Sequence, residues 1–358
     1  MNERKTIYVV TEDDYLDLSL FLANFPNETR NQDFWLRRFR LWWDNNPSFS
    51  DGFLRGWFLR EYEKITGFIG CIPSSFVLNN LEIVAYSGTT WRVLEKSRNQ
   101  SMNLFSNLIK ASKKSILFDT TPNSVAENII TQMGFKTLSL TGTRTVIRIS
   151  YNNILEAVYR KLKFKVRLLS KLLVLSAQFV TELRLSRFDK SKLLHVRELE
   201  RADYQFDQLW ETTKSLYSNT HVRTSKIINW YCFSNSSFEK KLFGCYEDNK
   251  LAGYMIFEKR KFHRIMAFEC IDLWCVSNSR NIILSLLAFA MRYATKNVCD
   301  TIIFPHYNDE IRRTYESIGV GKFNVFKRKA YYKAKSDIID AITNENTYFV
   351  RSLGDVGL

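Results

Sequence analysis

Apolar positions along this chain alternate between two rhythms, and the same succession appears twice. Residues 56–76, GWFLREYEKITGFIGCIPSSF, read as strand, with an acidic-basic turn before Ile65, and 81–94, LEIVAYSGTTWRVL, as another. After Arg98, Leu104, Leu108 and Ile109 recur at helical spacing. SILFD, 115–119, then reads as a buried strand, and Asn123 is placed to cap a short helix that stops at Gly134. In the second half, FGCYEDNKLAGYMIFEKR predicts a hairpin turning at Asp248-Asn249. A strand (IMAFECIDLWCV), a helix (NIILSLLAFAMRYATKN), a strand with its exit loop (DTIIFPHYN) and a helix ending at Gly319 follow.

The spacings of the two halves agree. Gly67 to Trp91 is 24 residues and Gly253 to Trp274 is 21; Phe118 to Gly134 is 16 and Phe304 to Gly319 is 15. Arg98-Asn99 follows the first tryptophan and Arg280-Asn281 the second. Element order and spacing together predict an α/β duplication, the alternative being two unrelated α/β units with chance matches. The expected organisation is an N-terminal domain at 1–150, a connector at 151–190 and a C-terminal domain at 191–358.

The connector contains no Pro or Gly and carries nine Lys/Arg against three Asp/Glu. Its Leu162, Val166, Leu169, Leu173 and Leu183 make one apolar face. Such a helix packs on protein, on a second copy of the chain, or on an anionic membrane surface. The whole chain of 358 residues has a net charge of +15, which suits polyphosphate ligands, nucleic acid or an anionic surface. Six cysteines without a CxxC pair and four scattered histidines argue against a metal site and suit a reducing compartment. The N-terminus lacks a signal-peptide pattern and no apolar run is long enough to span a bilayer, so the expectation is a cytoplasmic protein.

Chemistry concentrates where the strand ending at Trp91, Arg92 and Val93 passes through Arg98-Asn99-Gln100-Ser101-Met102-Asn103 into a helix. The amides of a helix's first turn and a nearby arginine make a phosphate site. This segment resembles the coenzyme A loop of the GNAT acyltransferases, R/Q-x-x-G-x-G/A, although Asn99, Ser101 and Asn103 stand where glycines are usual. TPNSVAENIITQMGF, 121–135, resembles the same family's N-x-x-A…GF segment, and the resemblance covers most of 55–136. Phe34-Trp35, Trp42-Trp43 and Asn46-Pro47, with His221-Val222-Arg223 before Trp230 in the second half, resemble the openings of tandem GNAT proteins. The pattern is most similar to sugar N-acyltransferases acting on dTDP-linked amino-dideoxy sugars.

That resemblance implies two GNAT-like domains, each a mixed, mostly antiparallel sheet flanked by helices. It implies acyl-CoA as co-substrate, held by Trp91, Arg92, Val93, Arg98, Asn99, Gln100, Ser101, Met102, Asn103, Pro122 and Asn123. The acceptor is then a nucleotide-linked amino sugar in surface-polysaccharide (lipopolysaccharide or capsule) synthesis, with His221, Arg223, Trp230, Asp272 and Tyr307 on its side. The amine must be deprotonated and the thioester carbonyl polarised, by backbone N–H groups near Trp91–Val93. Candidate acid–base groups are His306, Asp119 and Tyr315. Tyr315 stands seven residues after Asn308, where the family often keeps the acid for the leaving thiolate, while the first repeat has Ile130 there. The phosphate loop therefore favours the first half as donor site and the tyrosine favours the second; the loop decides here, because it anchors the donor. Alternatives are an aminoacyl-tRNA-dependent transferase of the peptidoglycan-bridge type and a non-catalytic degenerate pair. Partners expected are the two substrates, with a homodimer and membrane-surface contact through 151–190 as further options, and neither nucleic acid nor metal.

Overall fold

Two long hairpins are set by turns at residues that tolerate a left-handed backbone. Asn79 and Asn80, at φ 50° and 64°, join β3 (Lys64–Leu78) to β4 (Leu81–Val93), and Asp248 and Asn249, at 48° and 64°, join β10 (Lys240–Glu247) to β11 (Lys250–Phe262). Two consecutive residues at positive φ are what a two-residue hairpin of right-handed twist requires. The computed structural model describes residues 5–138, 143–149, 194–234, 239–262, 265–319, 322–325, 329–335, 342–343 and 345–350. The basic stretch 151–190 lies outside them. Among the described residues no helix is long and apolar enough to cross a membrane.

The chain divides into two units, neither continuous in sequence. Unit 1 comprises Met1–Ser139, Tyr217–Val222 and Arg328–Leu358; unit 2 comprises Leu140–Leu216 and Arg223–Lys327.

Unit 1 is built on a sheet ordered β1 (Lys5–Val9), β2 (Gly56–Glu61), β3, β4, β5 (Leu117–Asp119), β15 (Ala330–Lys333), β6 (Lys136–Leu138). Short β9 (Asn219–His221) pairs with β3, and β16 (Thr347–Tyr348) with β9. All neighbours are antiparallel except β4 with β5 and β16 with β9. One core holds Leu59, Ile69, Leu104, Phe105, Leu108, Ile130 and Tyr331; another holds Phe76, Phe118, Leu138, Ala330, Tyr332 and Phe349. Adjacent Tyr331 and Tyr332 enter different cores because successive side chains of a strand point to opposite faces. Helices α1 (Tyr15–Ala23), α2 (Gln32–Phe39), α3 (Ser101–Ala111) and α4 (Ser124–Gln132) flank this sheet. Past α2 the chain widens into a π turn at Arg40–Asp44, where the Trp43 Nε1 donates to the Cys71 carbonyl at 2.8 Å. Trp35, Trp42, Trp43 and Trp57 are all core.

Unit 2 repeats the plan: β8 (Leu194–Leu199), β10, β11, β12 (Ile265–Cys275), β13 (Thr301–Pro305), β7 (Thr143–Arg148) and β14 (Lys322–Val325) form its sheet. The β10–β14 order is read as β8-β10-β11-β12-β13-β7-β14, with only β12–β13 parallel. Its helices are α5 (Tyr204–Thr213), α6 (Ser225–Phe233), α7 (Arg280–Lys296) and α8 (Asp309–Glu316). Both sheets are mixed, mainly antiparallel and flanked by helices, the expected α/β class.

Apart from β9 and β16, the two sheets have the same seven-strand order, and each takes its sixth place from the other half of the chain. Early strand β7 lies between β13 and β14; late strand β15 lies between β5 and β6. Each half alone leaves a gap one strand wide, and unpaired N–H and C=O rows inside a sheet are costly. A fragment of residues 1–150 should therefore show no cooperative thermal unfolding by circular dichroism, and co-expression with 191–358 should restore it. A cooperative melt of 1–150 alone would contradict the exchange.

Candidate active site

Strands β4 and β5 run parallel for only two residues, Tyr86 beside Leu117 and Ser87 beside Phe118. β4 then continues to Val93 on its other neighbour while β5 ends at Asp119, so a wedge opens between them. Within it β4 bulges: pairing with β3 steps from Gly70–Thr89 to Phe68–Arg92, leaving Thr90 and Trp91 opposite Ile69. Thr90 adopts φ 52°, unusual for a β-branched residue, and a bulge re-aims the peptides around it.

The wedge is a cavity of about 790 Å³, within the range of small-molecule sites. β4 supplies Gly88 through Val93, α3 supplies Ser101, Met102, Phe105 and Leu108, and the β5–α4 connection supplies Asp119, Thr121, Pro122 and Asn123. Helices α3 and α4 both begin at its rim. Asn123 caps α4, its Oδ1 accepting the Ala126 N–H at 2.8 Å, and α4 ends before Gly134 at φ 80°. The chain enters α3 through a 3-10 turn, Glu95–Gln100, instead of an open loop. Arg98 sits in that turn, lines the cavity, and makes only a solvent-exposed 3.5 Å pair with Glu95. Such a pair is worth little, so the guanidinium is available to an anion.

Nine of the sequence-derived candidates therefore meet in one wall: Trp91, Arg92, Val93, Arg98, Ser101, Met102, Asp119, Pro122 and Asn123. Asn99, Gln100 and Asn103 do not line it; Asn103 Nδ2 donates to Gln100 Oε1 at 2.7 Å on the exposed turn. Trp91 stacks on Phe105 with centroids 4.6 Å apart and planes at 15°. Asp119 closes β5, its Oδ1 accepting the Thr121 N–H at 3.3 Å.

The sequence reading missed Phe25, Pro26 and Glu28, in the α1–α2 loop. Phe25 and Pro26 line the cavity, and Glu28 Oε2 forms an ion pair with Arg92 Nη2 at 2.7 Å. The Arg92 guanidinium also lies over Phe25 and Trp35, 5.2 and 5.3 Å from their centroids. Burial acts to raise the Glu28 carboxyl's pKa, but the N–H groups of Arg30 and Thr29 and the Arg92 guanidinium outweigh it and hold it below its ordinary value. Pairing over more than sixty residues leaves no local signature, and Pro26 was the only available sign of a rigid loop.

The remaining candidates lie elsewhere. His221, on β9 in unit 1, is buried edge-on against Phe76 at 5.1 Å and beside Phe349 at 4.9 Å. In unit 2, fully buried Arg223 and Asp272 pair at 3.5 Å, Arg223 lies 4.2 Å over Trp274, and the Tyr254 hydroxyl donates to Asp272 at 2.8 Å. Trp230 is buried. The two ring nitrogens of His306 lie 3.1 and 2.8 Å from the hydroxyls of Thr143 and Thr145 on β7. Desolvation, then the nearby Arg312 charge, lowers the His306 pKa to about 4, so the ring is neutral at pH 7.

Unit 2 has the same wedge, but it is filled. β12 and β13 pair over Ala267–Glu269 and Thr301–Ile303 and then part. The Tyr307 hydroxyl donates to the Cys270 carbonyl at 3.3 Å across the opening. Tyr315 is fully buried 5.0 Å from Phe304, and desolvation pushes its hydroxyl pKa well above the ordinary value. The last parallel pairs, Ser87–Phe118 and Glu269–Ile303, also correct the repeat register. Phe118 corresponds to Ile303, which makes both distances to the terminal glycine 16 residues. Gly67 faces Val93 and Gly253 faces Cys275, so Trp91 and Trp274 are one residue out of step.

No family model matches the chain, and no curated protein matches it. Among solved structures it is similar to a GCN5-related N-acetyltransferase from Anabaena variabilis, at 10% identity and TM-score 0.57, over 92% of this chain and 72% of that one. The same figures describe a probable N-acyltransferase from Enterococcus faecalis. Saccharomyces cerevisiae N-myristoyltransferase with bound myristoyl-CoA matches at 10% identity and TM-score 0.53, over 100% of this chain and 89% of that one. At these identities the likeness establishes the fold: two GNAT-like sheets in one chain.

Glu28→Gln should destabilise the protein by about 1–3 kcal/mol, the scale of a hydrogen bond to a charged group. Because the folded carboxyl titrates below its unfolded value, the contribution of the carboxylate, held by the Arg30 and Thr29 N–H groups and by Arg92, is complete above the unfolded pKa of about 4.5 and is lost as pH falls through the folded one. Denaturant melts of wild type and variant should therefore differ most near neutral pH and converge in acid. A pH-independent difference would show that the charge of the Glu28 carboxylate is not its source.

Proposed function

We propose that this chain is an acyl-CoA-dependent N-acyltransferase whose donor occupies the unit 1 wedge. The observation that carries this reading is the contrast between two equivalent wedges: one is open with an arginine at its rim, the other is filled by Cys270, Tyr307 and Tyr315. The donor's pyrophosphate would lie at Arg98 and the start of α3, where helix amides and a weakly engaged guanidinium favour anions. Its pantetheine arm would follow β4, bringing the thioester to the Thr90–Trp91 bulge.

The acceptor amine attacks the thioester carbonyl carbon. A C–N bond forms, and peptide N–H groups re-aimed by the bulge stabilise the oxyanion. The C–S bond then breaks, coenzyme A leaves as thiolate and takes a proton from solvent, and the amine proton passes to Asp119. Asp119 is preferred because it lines the cavity, whereas both ring nitrogens of His306 are engaged by threonine hydroxyls in unit 2 and Tyr315 is buried there. Arg92, Phe25 and Pro26 border the acceptor's approach.

For the acceptor we propose a nucleotide-linked amino-dideoxy sugar, a dTDP-3-amino-3,6-dideoxyhexose, used in the cytoplasm for lipopolysaccharide or capsule synthesis. This rests on the resemblance of the overall sequence pattern to such transferases. The surplus of basic charge suits two polyphosphate ligands.

A thiol-release assay with panels of acyl-CoAs and amine acceptors tests the reading, and absence of turnover together with absence of coenzyme A binding would sink it. Arg98→Ala should raise the acyl-CoA KM about tenfold, the scale of one charged hydrogen bond. Arg280→Ala, whose guanidinium instead donates to the Ser317 hydroxyl at 3.0 Å, should leave that KM unchanged; the reverse result would move the donor to unit 2. Asp119→Asn should lower kcat by about 10²–10⁴ with little change in acyl-CoA binding, the range of general base catalysis.

A further inference from the structure

We infer that Gly88 sets the length of acyl chain the cavity accepts, and that the donor carries a chain longer than acetyl. This rests on the donor assignment above. Arg98 and Ser101 line the cavity at the start of α3 and Thr121 and Asn123 just before α4, while Thr89, Thr90 and Arg92 line it from β4 and Asp119 from the end of β5. From Ser101 to Leu108, α3 runs about 10 Å along its axis at 1.5 Å per residue, and Leu108 also lines the cavity. The apolar walls near it are Ile69, Phe105 and Gly88. None of these side chains carries a hydrogen-bonding group, and Ile69, Phe105 and Leu108 are core residues. An apolar wall of this extent, running from Gly88 along α3, fits a hydrocarbon tail.

Gly88 stands at the vertex, one residue past the last β4–β5 pair. A Cβ there would lie 3.1 Å from Leu108 Cδ2 and 3.9 Å from the Phe118 carbonyl oxygen. Its backbone is not in the left-handed region, so conformation does not demand glycine; the missing side chain is what leaves the space. The equivalent position in unit 2, one residue past the Glu269–Ile303 pair, is Cys270, and there Tyr307 closes the opening.

Calorimetric titration of the full chain with free coenzyme A and with acetyl-, butanoyl-, hexanoyl- and octanoyl-CoA tests this. Wild-type affinity should rise about threefold to fourfold per added methylene until the cavity is full, the worth of burying one methylene. In Gly88→Val that rise should stop at a shorter chain, and in Gly88→Ala at an intermediate one, with free coenzyme A binding all three proteins alike. Thermal melts confirm folding, and the alanine variant carries the comparison if the valine variant does not fold. Equal affinity of wild type for acetyl- and octanoyl-CoA, or one chain-length profile shared with the folded variants, would overturn the inference while leaving the donor site standing. Failure of free coenzyme A to bind wild type would overturn the donor site, and the inference with it.

Discussion

Two strands that pair for only two residues and then part create the space on which the rest of unit 1 depends. Because β4 and β5 are parallel, the helices that follow them both start from the same end of the sheet. Helix N-termini carry partial positive charge, so the divergence opens a gap and aims two favourable dipole ends at it. A continuously paired antiparallel neighbour would have given neither. The bulge at Thr90–Trp91 belongs to the same arrangement, since β4 must leave its simple ladder to keep contact with β3 as it turns from β5.

What occupies the divergence is where the two units differ. The sister sheet repeats the same strand order and the same early parting, with Cys270 in place of Gly88 and tyrosines packed across the opening. Its polar groups are spent internally: Arg223 on Asp272 and Trp274, and His306 between two threonines of β7. A buried ion pair of this kind is costly to break on one side only, so it suits framework more than turnover. In the first unit Arg92 is also paired, but with a loop residue and at the cavity wall, so the pair shapes a site.

The exchanged strands bind the two halves of the chain into one folding problem. β15 places Tyr331 in one core of unit 1 and Tyr332 in the other, so the late part of the chain completes both faces of the early sheet. In return β7 supplies the threonines that hold His306. A duplication that had kept these sixth-place strands at home would have left each half able to complete its own sheet.

Much of this was already written locally. The periodicity of 56–94, the Asp248-Asn249 turn, the Asn123 cap and the Gly134 and Gly319 stops each depend on neighbouring residues or on backbone φ, and each stands where the sequence places it. The gathering of Trp91–Val93, Arg98, Asp119 and Asn123 was legible for the same reason: short connections from parallel strands to their helices fix it. The tertiary structure alone decided the Glu28–Arg92 pair, the exchange of β7 and β15, the one-residue register of the repeat, and which wedge stays open. These depend on contacts between residues far apart in the chain, on hydrogen-bond registers, and on whether a side chain such as Cys270 or its absence at Gly88 occupies a vertex, none of which leaves a periodic trace in the sequence.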